Sequence, residues 1–312
     1  MTALRLLLNS GFSGANAFFA LAQQRGLFRS AGIDVELVAG RGAYTAAGRL
    51  ADEGFDAAYG DLNALIELAA LRPADALPIA VFMVHQHAPS CITVARDGPV
   101  QHPGDLAGRA ICGHASDVAL RTFPAYARAA GLDARAVQIE VATAGMAELL
   151  RGMLHGGTDA VFGYVTTHTA ALAETGLRVD TLLRFLPYRE VCADLYGSAL
   201  MVAPQLLRES PGTVAALVRA TRGAITATWA QPEAAIDALM ALNPAATAHI
   251  EIQRLLATLY DDMGAPSGMA GPWQGLGAAS YQRLGAAIAS LAAASGWEHP
   301  PNAERVFTRR FL

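Results

Sequence analysis

The sequence predicts an α/β protein with two similar lobes that face one cleft, and three observations lead to that fold class. A Gly-x-Asp-Ala motif at residues 54–57 returns at residues 157–160, each time leading into a short apolar run that ends in glycine. The chain begins with alternating strand and helix patterns, the order found in a parallel α/β sheet. Its 312 residues also exceed what a single hydrophobic core usually holds, which favours two domains.

Each copy of the motif has the pattern of a helix stop followed by a buried strand. Helical runs rich in Ala and Leu come just before both motif glycines. Asp61 and Tyr164 stand directly after the two apolar runs, where a parallel sheet presents ligand loops at its carboxyl edge. We therefore expect residues 60–61 to face residues 163–164 across the cleft. The alternative is that the motif is only a common helix-to-strand turn.

Hydrophobic periodicity separates the other elements. The predicted strands cover residues 4–9, 33–38, 110–112, 137–141 and 160–162. The predicted helices cover residues 15–25, 117–130, 146–154, 166–174, 213–229, 232–242, 247–262 and 281–294, so that the chain after Pro204 is helical. Small residues at 10–14, and the glycines on either side of Arg41, form loops in which a ligand can approach the backbone closely.

The composition excludes several classes of function. The net charge of -4, without an Arg-rich stripe, argues against a nucleic-acid partner. Apolar residues make up 53% of the chain, yet the longest uninterrupted apolar runs, such as residues 79–84, are far too short to span a bilayer. We expect a soluble globular protein that does not insert into a membrane.

The side-chain chemistry predicts no cofactor and no metal. All 23 Lys and Arg positions are arginine, so no lysine can form a Schiff base with pyridoxal phosphate or a carbonyl substrate. Cys91, Cys112 and Cys192 are widely spaced and predict neither a zinc site nor a disulfide framework. His85 and His87 would share one face of a strand, but a metal needs a third ligand that the sequence does not offer nearby.

Candidate ligand contacts are polar and aromatic side chains at predicted strand ends. The loop at residues 113–117 has free N–H groups that would suit a carboxylate, sulfonate or phosphate, unless Asp117 simply caps the helix. Arg41 would bind an anion in bidentate fashion or would be a solvated loop charge. Several aromatic rings, Tyr59 among them, would stack on a planar ligand or would pack. The predicted ligand-binding residues are Ser10, Phe12, Arg41, Tyr44, Gly60, Asp61, His87, His114, Ser116, Tyr164 and Tyr196, and no residue is predicted to be catalytic.

Several stretches also follow a known family pattern. A strand and loop lead into Ala-Leu-Ala-Gln-Gln-Arg-Gly-Leu-Phe at residues 20–28 and Gly-Ile-Asp-Val at residues 32–35. The pattern continues at residues 40–42, 54–57, 103–111 and 306–312. Over nearly its whole length the chain resembles periplasmic substrate-binding proteins of ABC transporters, of the nitrate/sulfonate/taurine and thiamine-pyrimidine-precursor type.

The resemblance implies a type II periplasmic-binding-protein fold, in which two α/β lobes joined by two crossing strands hold a ligand in their cleft. The crossings would be residues 91–96 and 197–202. Residues 1–95 and 198–312 would then form lobe one, and residues 96–197 lobe two. The implied function is that of a monomeric solute-binding protein, which captures a small aromatic or anionic organic molecule by lobe closure and delivers it to an ABC transporter permease.

Enzymes on the same scaffold are the alternative. Pyrimidine-precursor synthases of the family supply a lysine and a Cys-rich signature, and sulfinate-cleaving relatives place a nucleophilic Cys in the loop after strand one. This chain has neither the lysine nor the Cys-rich signature, and it has Ser10, Phe12 and Ser13 in that loop, so both chemistries are disfavoured. The apolar run at residues 4–8 lacks a cleavage pattern, so a leaderless cytoplasmic enzyme of the desulfinase, decarboxylase or pyrimidine-precursor type stays open. A leader removed before Met1 would place the protein in the periplasm.

Overall fold

Two mixed β-sheets of five strands each carry the fold. The computed structural model describes residues 1–73, 76–264 and 275–312. The strands are β1 (Thr2–Leu7), β2 (Ile33–Val38), β3 (Ala57–Asp61), β4 (Ile79–Met83), β5 (Ser90–Ala95), β6 (Ala110–Gly113), β7 (Gln138–Val141), β8 (Ala160–Tyr164), β9 (Leu183–Pro187) and β10 (Ser198–Val202). Their order is β2-β1-β3-β10-β4 in the first sheet and β7-β6-β8-β5-β9 in the second.

The two sheets share one topology. In the first sheet β1 pairs in parallel with β2 and β3, and in the second β6 pairs in parallel with β7 and β8. The next strand is antiparallel in both cases, β10 against β3 and β5 against β8. The two Gly-x-Asp-Ala motifs lead into β3 and β8, which occupy the same place in their sheets. The predicted pair of similar α/β lobes is therefore confirmed.

The assignment of one strand differs from the predicted lobe boundary. A boundary after residue 95 would leave β5 in lobe one, whereas β5 pairs with β8 and β9 of the second sheet. The apolar pattern of β5 shows that it is a buried strand but not which sheet it joins, because that depends on pairing partners far away in sequence. We propose that lobe two begins near residue 89. β10 lies in the first sheet, in line with a boundary at residue 198.

The helices pack on both sheets, and contacts between some of them connect the two lobes. They are α1 (Ala17–Gln24), α2 (Leu27–Ser30), α3 (Ala46–Asp52), α4 (Leu62–Leu71), α5 (Val118–Ala129), α6 (Met146–Leu154), α7 (Val165–Ala173), α8 (Val179–Leu182), α9 (Pro204–Glu209), α10 (Pro211–Ala230), α11 (Pro232–Leu242), α12 (Ala248–Ala257), α13 (Tyr281–Ser295) and α14 (Ala303–Val306). The connecting contacts are those of α13 and α4 with α5 and of α12 with α7. A π-helical turn, Thr258–Asp262, follows α12. In the described ranges, no helix has the length and apolarity needed to cross a membrane.

Burial of apolar side chains explains how the two lobes hold together. One core cluster covers the first sheet under α1, α10 and α11. A second cluster is continuous between the lobes, because Leu284 and Ile288 of α13 belong to it together with Phe123 of α5 and Phe162 of β8. Packing of α13 on α5 thus brings the carboxyl ends of the two sheets towards each other.

Candidate functional site: a cleft between the two sheets

A cleft of about 430 Å³ lies where loops from the carboxyl ends of both sheets meet. Its first-lobe wall comes from the loops after β1 and β2 and from α12. Its second-lobe wall comes from the loops after β6 and β8 and from the start of α6. The lining residues are Asn9, Ser10, Ser13, Ala15, Arg41, Gly42, Ala43, His114, Ser116, Asp117, Val118, Met146, Gly163, Tyr164, Thr166, Thr167 and Arg254.

Asn16 holds the loop after β1 in shape. Its Nδ2 donates to Asn9 Oδ1 at 3.1 Å and to the Gly11 carbonyl at 3.0 Å, and its Oδ1 accepts from the Ser13 N–H at 3.1 Å. These bonds turn Ser13 towards the cleft. Ser13 lines the cleft, and its buried hydroxyl has no hydrogen-bond partner in the described parts of the chain.

Helix α12 closes the first-lobe wall through a carboxylate and a guanidinium. The Gly14 N–H donates to the buried Glu251 carboxylate at 2.5 Å, which places a negative charge at the start of the helical segment leading into α1. Arg254 Nε lies 3.5 Å from the same carboxylate. Arg254 Nη2 lies 4.0 Å from Glu174 Oε1 at the end of α7, so this arginine reaches from the first lobe to the second.

The loop between β6 and α5 is closed on itself. The His114 N–H donates to Asp117 Oδ2 at 2.8 Å, and the Asp117 N–H donates to the His114 carbonyl at 3.0 Å. The Asp117 side chain therefore does not cap α5, and it occupies one of the N–H groups expected to bind an anion. Burial raises the pKa of Asp117. His114 Nε2 lies 2.8 Å from the Ala144 carbonyl, which can only accept, so this nitrogen carries a proton.

Asp61 and Tyr164 join the two lobes at the floor of the cleft. Asp61 is fully buried, and its Oδ1 accepts from the Asn63 N–H at 2.8 Å and from Asn63 Nδ2 at 3.0 Å. The Tyr164 hydroxyl lies 3.4 Å from Asp61 Oδ2. Burial raises the pKa of Asp61 to about 6. The predicted meeting of residues 60–61 with residues 163–164 is confirmed by this contact.

A second cross-lobe contact, which we call the Arg121 latch, consists of Tyr44, Glu67 and Arg121. Arg121 Nη2 donates to Glu67 Oε1 at 2.6 Å, and its Nε donates to the Tyr44 hydroxyl at 3.1 Å. The Tyr44 hydroxyl donates in turn to Glu67 Oε2 at 2.6 Å. Since Arg121 lies on α5 and Glu67 on α4, the latch connects the lobes beside the cleft.

The structure brings five of the predicted residues together in the cleft wall. These are Ser10, Arg41, His114, Ser116 and Tyr164. Asp61 lies directly behind Tyr164. Gly60 is buried in β3, where a Cβ would stand 2.4 Å from the Ala46 side chain. Close packing against Ala46, rather than contact with a ligand, therefore explains the glycine. Ligand contact by these residues stays a prediction.

Four other predicted residues do not line this cleft. Tyr196 is buried, its hydroxyl accepts from the Ser280 N–H at 3.0 Å, and its ring packs under the Arg283 guanidinium. Phe12 packs on the core of the first sheet. Tyr44 belongs to the latch, and the His87 N–H donates to the Asp262 carbonyl at 3.0 Å, away from the lining residues. A position near a strand end does not determine which way a side chain points.

Tyr59, another aromatic residue considered for stacking, is also a core residue. It is fully buried against Phe18 and Phe19, and its hydroxyl lies 2.7 Å from His85 Nε2. Burial lowers the pKa of His85 to about 3, so this histidine is neutral. The histidine pair at residues 85 and 87 is therefore divided between two environments. Within the described residues, no group of three His, Cys, Asp or Glu side chains could hold a metal ion.

Several residues in or next to the cleft were not among those predicted from the sequence. Thr166 and Thr167 stand in the first turn of α7, directly after Tyr164, and the helix start after the second motif was a signal for them. Asn9 and Asn16 are recognisable only through their mutual hydrogen bond. Arg254 lies far along the chain on α12, and no local pattern places that helix against the cleft.

Two five-stranded α/β sheets with a cleft between their carboxyl edges define the periplasmic-binding-protein class of fold. The chain belongs to the NMT1/THI5-like family, whose model matches residues 15–235. No protein in a curated sequence collection matches the chain.

Comparison with solved structures supports the fold at low sequence identity. The alkanesulfonate-binding protein SsuA from Xanthomonas axonopodis pv. citri, bound to MOPS, superposes with a TM-score of 0.72 at 15% identity, covering 98% of this chain and 98% of that one. The periplasmic aliphatic sulphonate binding protein SsuA from Escherichia coli gives 0.72 at 16% identity, with 99% and 92% covered. A variant of DszB in complex with biphenyl-2-sulfinic acid gives 0.61 at 16% identity, with 100% and 98% covered.

Proposed function

We propose that this protein is a solute-binding protein that captures a small organic anion by closing its two lobes. The observation that carries the proposal is a cleft whose walls come from the carboxyl edges of both sheets and whose floor is bridged by Asp61 and Tyr164. A ligand that touches both walls makes more contacts in the closed state than in the open state. It therefore shifts the population towards closure.

The charges and donors in the cleft support an anionic ligand. Arg41 has no hydrogen bond or ion pair with another described residue, although it lines the cleft. The Ser13 hydroxyl lacks an acceptor among the described residues. The first residues of α5, α6 and α7 also line the cleft, and helix N-termini favour negative charge. Sulfonates and carboxylates fit this set of donors.

The rest of the cleft supports an organic ligand rather than a bare inorganic ion. Tyr164, Met146 and Ala15 give it apolar and aromatic surface next to the donors. A volume of about 430 Å³ lies in the usual range for sites that bind small organic molecules. We propose an anionic head group with a small aliphatic or aromatic body.

Delivery to an ABC transporter permease follows as the physiological role in this proposal. Membership of the NMT1/THI5-like family and the likeness to two sulfonate-binding proteins support it. The protein would act as a monomer in the periplasm. Co-purification of the protein with an ABC transporter permease from the producing cells tests delivery, and fractionation of those cells tests the periplasmic location.

Binding without turnover is favoured over the enzyme alternative by the chemistry of the cleft. No cysteine is among its described lining residues, and the three cysteines are buried elsewhere. Burial raises the pKa of Cys91 to about 12, so its thiol is a poor nucleophile. The His114 Nε2 proton is bonded to the Ala144 carbonyl rather than to a serine. The likeness to DszB concerns the fold alone.

Calorimetric titration with matched compounds tests the proposal. The panel pairs aliphatic and aromatic sulfonates and carboxylates with uncharged amides of the same shape. We expect one-to-one binding that prefers the anion, is weakened about tenfold or more by Arg41→Gln, and is unaffected by Arg29→Gln, which removes an exposed arginine outside the cleft. Chromatography should return the ligand unchanged. Absence of binding, no preference for anions, or conversion of the ligand would overturn the proposal.

A further inference from the structure

A second cavity of about 240 Å³ lies in lobe two, outside the cleft. Strand β9, at the edge of the second sheet, forms one side through Arg184 and Leu186. Tyr126 of α5, together with Gln101 and His102, also lines the cavity. None of these residues lines the cleft, so the cavity is a separate feature of the molecule.

Tyr126 lines this cavity and has a buried hydroxyl without a hydrogen-bond partner among the described residues. The side chain is fully buried, and its ring stacks on Tyr188 with a centroid distance of 4.3 Å. Its hydroxyl makes no hydrogen bond with the described residues. Burial, with smaller contributions from Cys192 and Glu190, raises the pKa of Tyr126 above its usual range, so the hydroxyl keeps its proton and remains a donor.

Arg184 adds a second donor and a positive charge. Its Nε is buried and has no hydrogen-bond partner within the described ranges. No carboxylate of a described residue lies within ion-pair distance of its guanidinium. Buried donors are nearly always satisfied in folded proteins, and a partly buried guanidinium normally has an anionic partner. The Gln101 amide nitrogen is not a further free donor, because it donates to the Arg96 and Gly98 carbonyls.

The two donors define the chemistry of an occupant. A phenol O–H and a guanidinium N–H both need an acceptor, and an oxyanion accepts from both with charge-assisted bonds. Glu190 also lines the cavity, but it is exposed to solvent, which screens the charge of its carboxylate. The volume leaves room for a small molecule rather than a single water.

We propose that the cavity bounded by Tyr126 and Arg184 is a second binding site, which takes a small oxyanion such as a carboxylate, phosphate or sulfate. The site is independent of the proposed cleft ligand, since the two cavities share no lining residue. Its occupant stabilises lobe two alone, because every lining residue belongs to that lobe.

Thermal unfolding in matched salts tests the proposal. Sodium phosphate and sodium sulfate, which lack the organic body proposed for the cleft ligand, are each compared with sodium chloride at equal ionic strength, in the wild-type protein and in the variants Arg184→Gln, Tyr126→Phe and Arg41→Gln. We expect at least one oxyanion to raise the unfolding temperature more than chloride does. Arg184→Gln should abolish this difference, Tyr126→Phe should weaken the apparent affinity about tenfold, and Arg41→Gln should leave it unchanged.

Tyr126→Phe also gives a readout that does not depend on an added ligand. Because the variant removes an unpaired buried donor, its unfolding temperature in chloride should equal or exceed that of the wild type. Three results would overturn the proposal. The first is an unfolding temperature that oxyanions raise no more than chloride does, which means that the cavity holds only water. The second is a rise that survives in Arg184→Gln and Tyr126→Phe. The third is a rise that is lost in Arg41→Gln, which places the anion in the cleft. If Arg184→Gln does not fold, Tyr126→Phe and Arg41→Gln still decide between these results.

Discussion

The hydroxyl of Tyr164, at the end of β8, lies 3.4 Å from the buried carboxylate of Asp61, at the end of β3. These are equivalent strands of the two sheets, so the contact joins the lobes at their corresponding carboxyl edges. A distance of 3.4 Å is long for a hydroxyl donor, which leaves room for the bond to shorten when a ligand draws the lobes together. We therefore expect closure of the cleft to be coupled to the formation of this bond.

Tyr164→Phe tests that coupling. The variant keeps the ring and loses the hydroxyl, so we expect ligand affinity to fall by about two- to tenfold, the usual contribution of one hydrogen bond. Tyr164→Ala, which also loses the ring, should cost roughly 1–3 kcal/mol of binding free energy if the ring stacks on a planar ligand. Calorimetric titration measures both. Tyr260→Phe, at an exposed tyrosine outside the cleft, is the control. Equal affinities in all four proteins would show that Tyr164 does not take part in binding.

Asp61→Asn tests the cost of burying this carboxylate. Burial raises the pKa of Asp61 from 3.8 to about 6, and a raised pKa means that the folded state holds the proton more tightly than the unfolded state. Stability from this group is therefore present below pH 3.8 and is lost as the pH rises through about 6. The shift corresponds to about 3 kcal/mol at neutral pH.

The variant should be free of that pH dependence. The unfolding free energy of Asp61→Asn should rise relative to that of the wild type between pH 4 and pH 7, because an amide does not ionise in this range. Denaturant titrations across this pH range measure the difference. Asp117 and Asp262, whose pKa values burial also raises, are present in both proteins and cancel. Parallel stability curves for the two proteins would mean that Asp61 does not titrate in this range.

Arg121→Gln tests the latch. Surface ion pairs usually contribute no more than about 1 kcal/mol, and the Arg121 side chain is 41% exposed. We therefore expect ligand affinity to fall by only about two- to fivefold, with a difference that shrinks as salt is added. Arg135→Gln is the matched control, because its ion pair with Asp133 lies within lobe two. An equal loss of affinity in both variants would contradict a cross-lobe role for Arg121.

Gly14→Ala tests the packing of α12 against the cleft. A Cβ at residue 14 would stand 2.1 Å from the Glu251 carbonyl oxygen, which is backbone and cannot rotate away. The variant should lose about 1–3 kcal/mol of unfolding free energy and should displace Arg254 from the wall. Gly11→Ala, in the same loop, meets no atom within 4 Å and should stay within about 0.5 kcal/mol of the wild type. Chemical denaturation that finds the two variants equally stable would contradict the close approach.

The fold was predictable from the sequence because its signals are local. The repeated glycine and aspartate before β3 and β8 mark helix ends and strand starts, and the predicted bounds of β2, α6 and α11 agree with the structure. The pairing of β5 with the second sheet was not predictable in this way. Which sheet a buried strand joins depends on partners such as β8, which no pattern within the strand itself records.

The site was only partly predictable for a related reason. Glycines and helix starts mark Arg41, His114 and Ser116 as loop residues, and the structure places all three in the cleft. Tyr196 was predicted to contact the ligand because it stands near a strand end, but its ring turns into the core, where Arg283 covers it. Arg254 enters the cleft because α12 packs against the loop after β1. Such a tertiary contact leaves no trace in the local sequence.

The distance between the lobes, measured with and without ligand, tests the central claim most directly. Ser30 and Ala129 are exposed residues on different lobes, and the three native cysteines are buried, so Ser30→Cys and Ala129→Cys allow a selective pair of spin labels. Added to saturation, the tightest compound of the sulfonate and carboxylate panel should shift the label distances to one shorter population. In the Tyr164→Ala background the same shift should need more ligand. A distance distribution that stays unchanged while calorimetry shows the ligand bound would contradict capture by lobe closure.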